Sequence, residues 1–232
     1  MKKIQNLFLV GLIYILSCSI IYAEPVEGTV MPSKNQWKAG AQINIVKNQD
    51  INYIKGSAES KNYFLNLSYG INDWFCIDGK LGVGDVVYKR DGFEKLDYDK
   101  GFAGGYGARI KPFYNSLSDI KFILGAHHIC VHADAVRDST GLNQKVIWDG
   151  WQLDGIVYRD FNKFIPYIGV KVKKVYLIRR IAGEKDYMRM KSKTQAGGVL
   201  GVDYKITKDC SFNFEVRFFD EQAYSAGISY LL

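Results

Sequence analysis

From Trp37 onward, apolar residues recur at every second position in segments of roughly ten residues, each closed by turn-forming residues, the pattern of tilted strands. Successive side chains of a strand point to opposite faces, so this period prescribes a sheet with one apolar and one polar face. Trp37, Ala39, Ala41, Ile43 and Ile45 alternate with Lys38, Gly40, Gln42 and Asn44. Tyr63, Leu65, Leu67 and Tyr69 oppose Asn66 and Ser68, and Gly70-Ile71-Asn72-Asp73 turns the chain into Phe75, Ile77, Leu81 and Val83. Further strands are expected near 101–114, 120–133, 146–158, 164–177, 194–205, 210–218 and 223–232. The count is about ten, within a range of roughly eight to twelve.

The head of the chain follows another pattern. Met1, Lys2 and Lys3 precede an apolar run from Leu7 to Ile21 and then Tyr22-Ala23-Glu24-Pro25, the order of a secretory signal, with cleavage expected after Ala23. A rival site is Cys18, because Ile15-Leu16-Ser17-Cys18 has the outline of a lipoprotein signal, although Leu16 fits it poorly. After Ala23 no apolar stretch is long enough for a spanning helix, so a mature chain that lives in a membrane does so as a closed barrel. The expected organisation is a signal peptide over 1–23, a periplasmic segment over 24–35 and one barrel domain over 36–232.

Connections alternate between long (47–60, 85–100, 135–143, 178–193) and short (71–73, 115–119, 159–163, 206–209), as in outer-membrane barrels. Only the last connection at the long end, Phe219 to Gln222, is short. Trp37, Tyr69, Trp74, Phe113, Tyr114, Tyr158, Phe164, Phe212 and Tyr230 gather at the strand ends opposite the long loops, where amphipathic rings meet the membrane surface. A soluble ligand-carrying barrel of lipocalin type would share the alternation with its apolar side turned inward. The loop rhythm and the aromatic ends favour the membrane form.

The last strand puts Tyr224, Ala226, Ile228, Tyr230 and Leu232 on one face and Ser225, Gly227 and Ser229 on the other. Ser225, Gly227, Tyr230 and Leu232 match the spacing of the C-terminal recognition signal of Gram-negative outer-membrane β-barrel proteins, which this chain resembles over its mature length. Leu232 stands where that family most often has phenylalanine. The resemblance implies an antiparallel up-and-down transmembrane barrel inserted by the barrel-assembly machinery. No subfamily is indicated.

If Phe75, Ile77, Leu81, Val83, Phe212, Phe214, Val216, Tyr224, Ile228 and Leu232 face lipid, the opposite face lines the lumen. It would carry Lys38, Lys80, Arg109, Lys111, Lys121, Lys171, Lys173 and Arg217 against Asp78, Asp154, Asp203 and Glu215, with His127 also inside. A basic lumen suits a small anion-favouring channel. The same charges could instead pair across a plugged core, since barrels of about eight strands have interiors only wide enough for side chains. Gly82, Gly84, Gly105 and Gly107 fall on the inward face and mark either a widened vestibule or close backbone approach.

Every histidine lies in His127-His128-Ile129-Cys130-Val131-His132. Imidazole and thiolate are ligands for zinc or copper, but the expected strand sends His128, Cys130 and His132 outward and leaves His127 inside, so neither metal nor cofactor is assigned. His127, His132 and Asp134 with Ser139 can be arranged on paper as a hydrolytic site, but neighbouring residues near a loop are no triad without geometry, and an enzyme is not expected. Omptin-type proteases and lipid A acyltransferases remain a third alternative. The mature cysteines Cys76, Cys130 and Cys210 are odd in number, and Cys76 and Cys210 fall on non-adjacent strands.

The formal charge of +7 falls to about +5 without Lys2 and Lys3, spread along the chain, so nucleic acid is not an expected partner. The expected partners are outer-membrane lipids, lipopolysaccharide and the assembly machinery. The expected state is a monomer in the cell outer membrane. A porin-like channel leads, and a closed structural or adhesin-like barrel is the alternative.

Overall fold

The computed structural model describes residues 25–52, 56–90, 92–93, 95–112, 119–137, 141–181 and 187–232. The segment up to residue 24, with the expected cleavage site and Cys18, lies outside them, as do Phe113, Tyr114 and Ser139. The strands are β1 (Trp37–Ile51), β2 (Gly56–Asn72), β3 (Phe75–Arg90), β4 (Leu96–Ile110), β5 (Ile120–Arg137), β6 (Asn143–Arg159), β7 (Phe164–Ile181), β8 (Tyr187–Lys191), β9 (Ala196–Lys205), β10 (Cys210–Phe218) and β11 (Gln222–Leu231).

Each strand pairs antiparallel with its neighbours, and β1 pairs with β11 from Lys38↔Leu231 to Asn48↔Gln222, so the sheet closes on itself. Closure satisfies every edge, which a sheet in lipid requires. β8 and β9 share one place beside β7, with β8 on Tyr176–Arg180 and β9 on Phe164–Val172, giving the expected ring of about ten. Paired residues followed from Cys210 through Tyr230, Ala39, Leu67, Gly79, Tyr106, His128 and Trp151 reach Lys174, far up β7. This climb is the stagger of tilted barrel strands.

Most of the expected long connections turn out to be strand. β1 runs on to Ile51, β3 to Arg90 and β7 to Ile181, and β8 lies inside what reads as a loop. The reason is a change of phase. In the half nearer the chain termini the apolar face is outside, with Leu65, Leu81, Ile168 and Val170 among its most exposed members. In the other half, the loop end, it is inside: Val86, Tyr88, Val146, Trp148, Val175 and Leu177 are buried in one cluster while Lys47, Lys61 and Lys89 point out. A strand that leaves lipid for water exchanges its apolar exterior for an apolar core.

The ring also narrows. The β10–β11 hairpin ends at Phe218 and Gln222, whereas β1 continues past it and meets the β8–β9 junction through the Ile51↔Ser192 bridge. Asn52 N donates to Lys191 O at 2.8 Å and Lys193 N to Asp50 O at 2.9 Å. Beyond the short hairpin, β1 to β8 close among themselves as an eight-stranded neck, a size whose interior side chains fill.

Candidate functional site: the filled lumen

Inside the terminal end lies the segment that precedes β1. Residues 25–29 are buried, and Val26 and Met31 pack with Cys76, Ile123, Ile156, Tyr158, Ile165, Tyr167 and Val199. A stretch read from sequence as periplasmic is threaded into the barrel in this structure. Polar groups of five strands hold it. The Arg109 guanidinium on β4 donates to the Glu27 carbonyl at 3.2 Å, while Val30 O accepts from Lys38 Nζ of β1 at 2.9 Å. Asp203 on β9 accepts from Thr29 N and Oγ1, both at 2.6 Å. Glu215 on β10 accepts from Val26 N at 3.2 Å, and Lys80 on β3 pairs with the Glu27 carboxylate.

Above this segment is a layer of ion pairs. Arg109 holds Asp78 with two bonds, Nε to Oδ2 at 2.9 Å and Nη2 to Oδ1 at 2.8 Å, the fork geometry that fixes both groups. Arg217 reaches Glu215 at 3.3 Å and Glu221 at 2.9 Å. Lys173 lies 3.0 Å from Asp220 and 2.8 Å from Glu221, with Lys171 on the same two carboxylates. His127 Nε2 is 3.3 Å from Asp154.

The expected lumen set is therefore inward, with Lys111 and Lys121 half-buried at the terminal rim and the others buried. The eight expected cations are nearly matched by acids, and in the fully buried set the basic excess is gone. Among the described residues, buried Lys38, Lys80, Arg109, Lys171, Lys173 and Arg217 meet Glu27, Asp78, Asp154, Asp203, Glu215, Asp220 and Glu221: six cations against seven carboxylates. Sequence reasoning missed Glu27, Asp220 and Glu221. Glu27 stood in the expected periplasmic segment, and the two hairpin acids stood in the short connection from Phe219 to Gln222. The one short connection at the long end was the available signal, since a turn below its neighbours points its side chains into the barrel.

The third layer is the apolar interior of the neck, where Tyr88, Tyr98, Trp148, Leu177 and Met190 pack together. Among the described residues, cavities of about 30 Å³ beside Glu27 and Lys38 and about 10 Å³ beside Trp148 and Arg217 leave room for a water molecule or two. No vestibule opens at the glycines. A Cβ on Gly82 would stand 1.8 Å from Tyr63 O, one on Gly84 1.9 Å from Asn62 Oδ1, and one on Gly107 2.4 Å from His127 Nδ1. These glycines mark close approach.

His128, Cys130 and His132 face outward as expected. His128 Nε2 bonds Asp149 Oδ1 at 2.9 Å, and its ring stacks between Tyr106 and Trp151 at 4.9 and 4.7 Å. Among the described residues no group of three or more His, Cys, Asp or Glu could hold a metal ion. Cys76, Cys130 and Cys210 form no disulfide. His127 and His132 lie on opposite sides of the wall, so they do not form a joint acid–base site with Asp134. In the expected assembly signal, Ser225 is buried inside while Tyr230 and Leu232 face out.

The exterior completes the class. Leu65, Leu81, Ile168, Val170 and Leu200 are each more than half exposed, around a lumen of charges. Aromatic pairs Trp37–Tyr69 (4.6 Å) and Phe164–Tyr204 (4.9 Å) rim the terminal end. Apolar wall, aromatic rim and charged core in one closed antiparallel sheet are the design of an outer-membrane β-barrel protein.

No family model matches the chain, and no curated protein matches it. Among solved structures it is similar to the translocator domain of autotransporter NalP from Neisseria meningitidis (8% identity, 89% of this chain and 90% of that one, TM-score 0.46). It is also similar to Ail, the attachment invasion locus protein of Yersinia pestis (10%, 87% and 100%, 0.41). A third is the outer membrane protein OprG from Pseudomonas aeruginosa (14%, 87% and 97%, 0.40).

Proposed function

We propose that the protein is a closed structural barrel of the bacterial outer membrane, non-enzymatic, which presents its loop-end rim to the surroundings. The observation that carries this reading is the continuous filling of the lumen by the segment at 25–33, the ion-pair layer and the apolar neck. An open anion passage needs unpaired cations along a wet path, and here the cations are matched by carboxylates. Signal-peptide removal, insertion by the assembly machinery and a monomeric state belong to the same proposal.

Conductance tests it. Residues 24–232, refolded in detergent and shown by heat-modifiable gel migration to be folded, are expected to give no single-channel steps in a planar bilayer. Steady anion-preferring steps would restore the channel.

A further inference from the structure

We propose that the outward faces of β6, β7 and β8 at the loop end bind the phosphate of an anionic lipid headgroup. This rests on the membrane reading above and goes beyond it by assigning a site. Register brings the residues together: Lys145 lies opposite Arg180, Ile178 opposite Arg189, and Tyr176 opposite Lys191. They alternate with Val146, Trp148, Val175, Leu177 and Met190, all buried within, so they point out from the wall.

Their height is fixed by the same strand. On β7 the outward positions run Ile168, Val170 and Val172, 59%, 69% and 40% exposed, and the next two are Lys174 and Tyr176. Apolar wall gives way to cations within two residues, where lipid tails end and headgroups begin. The Tyr176 ring holds the Arg189 guanidinium at 3.6 Å and the Lys174 ammonium at 5.1 Å, which orders both heads at that level.

Among the described residues the local charge is one-sided. Asp149, the carboxylate paired opposite Tyr176, is engaged by His128 at 2.9 Å. Among the described residues, no ion pair joins Lys145, Arg180, Arg189 or Lys191 to a carboxylate. Across the barrel two exposed lysines are paired, Lys89 with Glu59 at 2.5 Å and Lys95 with Asp97 at 3.0 Å. Guanidinium forks suit phosphate, and a ligand that must also lie along an apolar wall is a lipid rather than a nucleic acid or a soluble anion.

The test is native mass spectrometry of refolded residues 24–232 released from detergent, with diphosphoryl lipid A, phosphatidylcholine or inorganic phosphate added. The expected result is a lipid A adduct that phosphatidylcholine does not match and that millimolar phosphate does not displace. The variant Lys145→Gln/Arg180→Gln/Arg189→Gln/Lys191→Gln is expected to lose at least about tenfold in adduct occupancy, since each surface cation contributes measurably to anionic-lipid attraction. Lys61→Gln/Lys89→Gln should lose none. If the fourfold variant does not fold, Arg180→Gln/Arg189→Gln carries the comparison. Equal loss in both variants, undiminished lipid A binding, or full displacement by phosphate would overturn the site while leaving the barrel intact. Failure of the parent chain to migrate as a folded barrel would instead overturn the membrane reading and the site with it.

Discussion

Arg109 does more than any other side chain in the lumen. It is fully buried, neutralises Asp78 through two bonds and ties down the segment that fills the terminal half. Removing one member of a buried pair strands the other without compensation, so Arg109→Met is expected to destabilise the refolded barrel by about 3–5 kcal/mol in urea titration followed by gel migration. Lys111, half-buried at the rim, supplies the contrast: Lys111→Met should cost less than about 1 kcal/mol. If Asp78→Leu is combined with Arg109→Met, much of the loss should return, because an apolar pair of similar volume can replace a buried ion pair. A double variant no better than Arg109→Met would mean that the segment at 25–33, not Asp78, is what Arg109 serves. Arg109 and Asp78 were legible as inward residues from alternation alone. Their partnership was not, since period two gives the face of a residue and says nothing of which neighbour around the ring it meets.

At the scale of elements, the proposed closed barrel has two independent closures, the N-terminal segment at one end and the neck at the other. Deleting residues 25–33 is therefore expected to lower stability without producing conductance, because the cluster around Trp148 still seals the outer half. Steady current from the deletion alone would show that the neck does not seal. Trp148→Ala leaves a cavity in that cluster and is expected to cost about 3–5 kcal/mol in the same titration. What hid the neck from sequence reading was the reversal of apolar phase. Ile168, Val170 and Val172 occupy even positions of β7 and Val175 and Leu177 odd ones, so a template with its apolar face outward ends the strand too soon. β8, five residues long and rich in charge, carries almost no periodic signal and becomes a strand only because β7 offers it an edge.

At the scale of the whole molecule, the outer-membrane wall is apolar and the core is charged with cations and carboxylates in near balance. Ten tilted strands, their outward residues and the inward set were readable from the sequence because each depends on local alternation. The narrowing to β1–β8, the reinserted N-terminal segment and the role of the short hairpin depend on contacts between residues far apart in the chain, such as Val26 with Glu215 and Ile51 with Ser192. The measurement that tests the closed lumen most directly uses Cys76, fully buried against Val26 and Met31. In a Cys130→Ser/Cys210→Ser background, the folded barrel in lipid vesicles is exposed to a water-soluble, membrane-impermeant methanethiosulfonate reagent. The account predicts labelling of Cys76 at least about a hundredfold slower than in the urea-unfolded chain, because the reagent must await a local opening that costs about 3 kcal/mol or more. Labelling as fast as in the unfolded chain would contradict it and return the lumen to water.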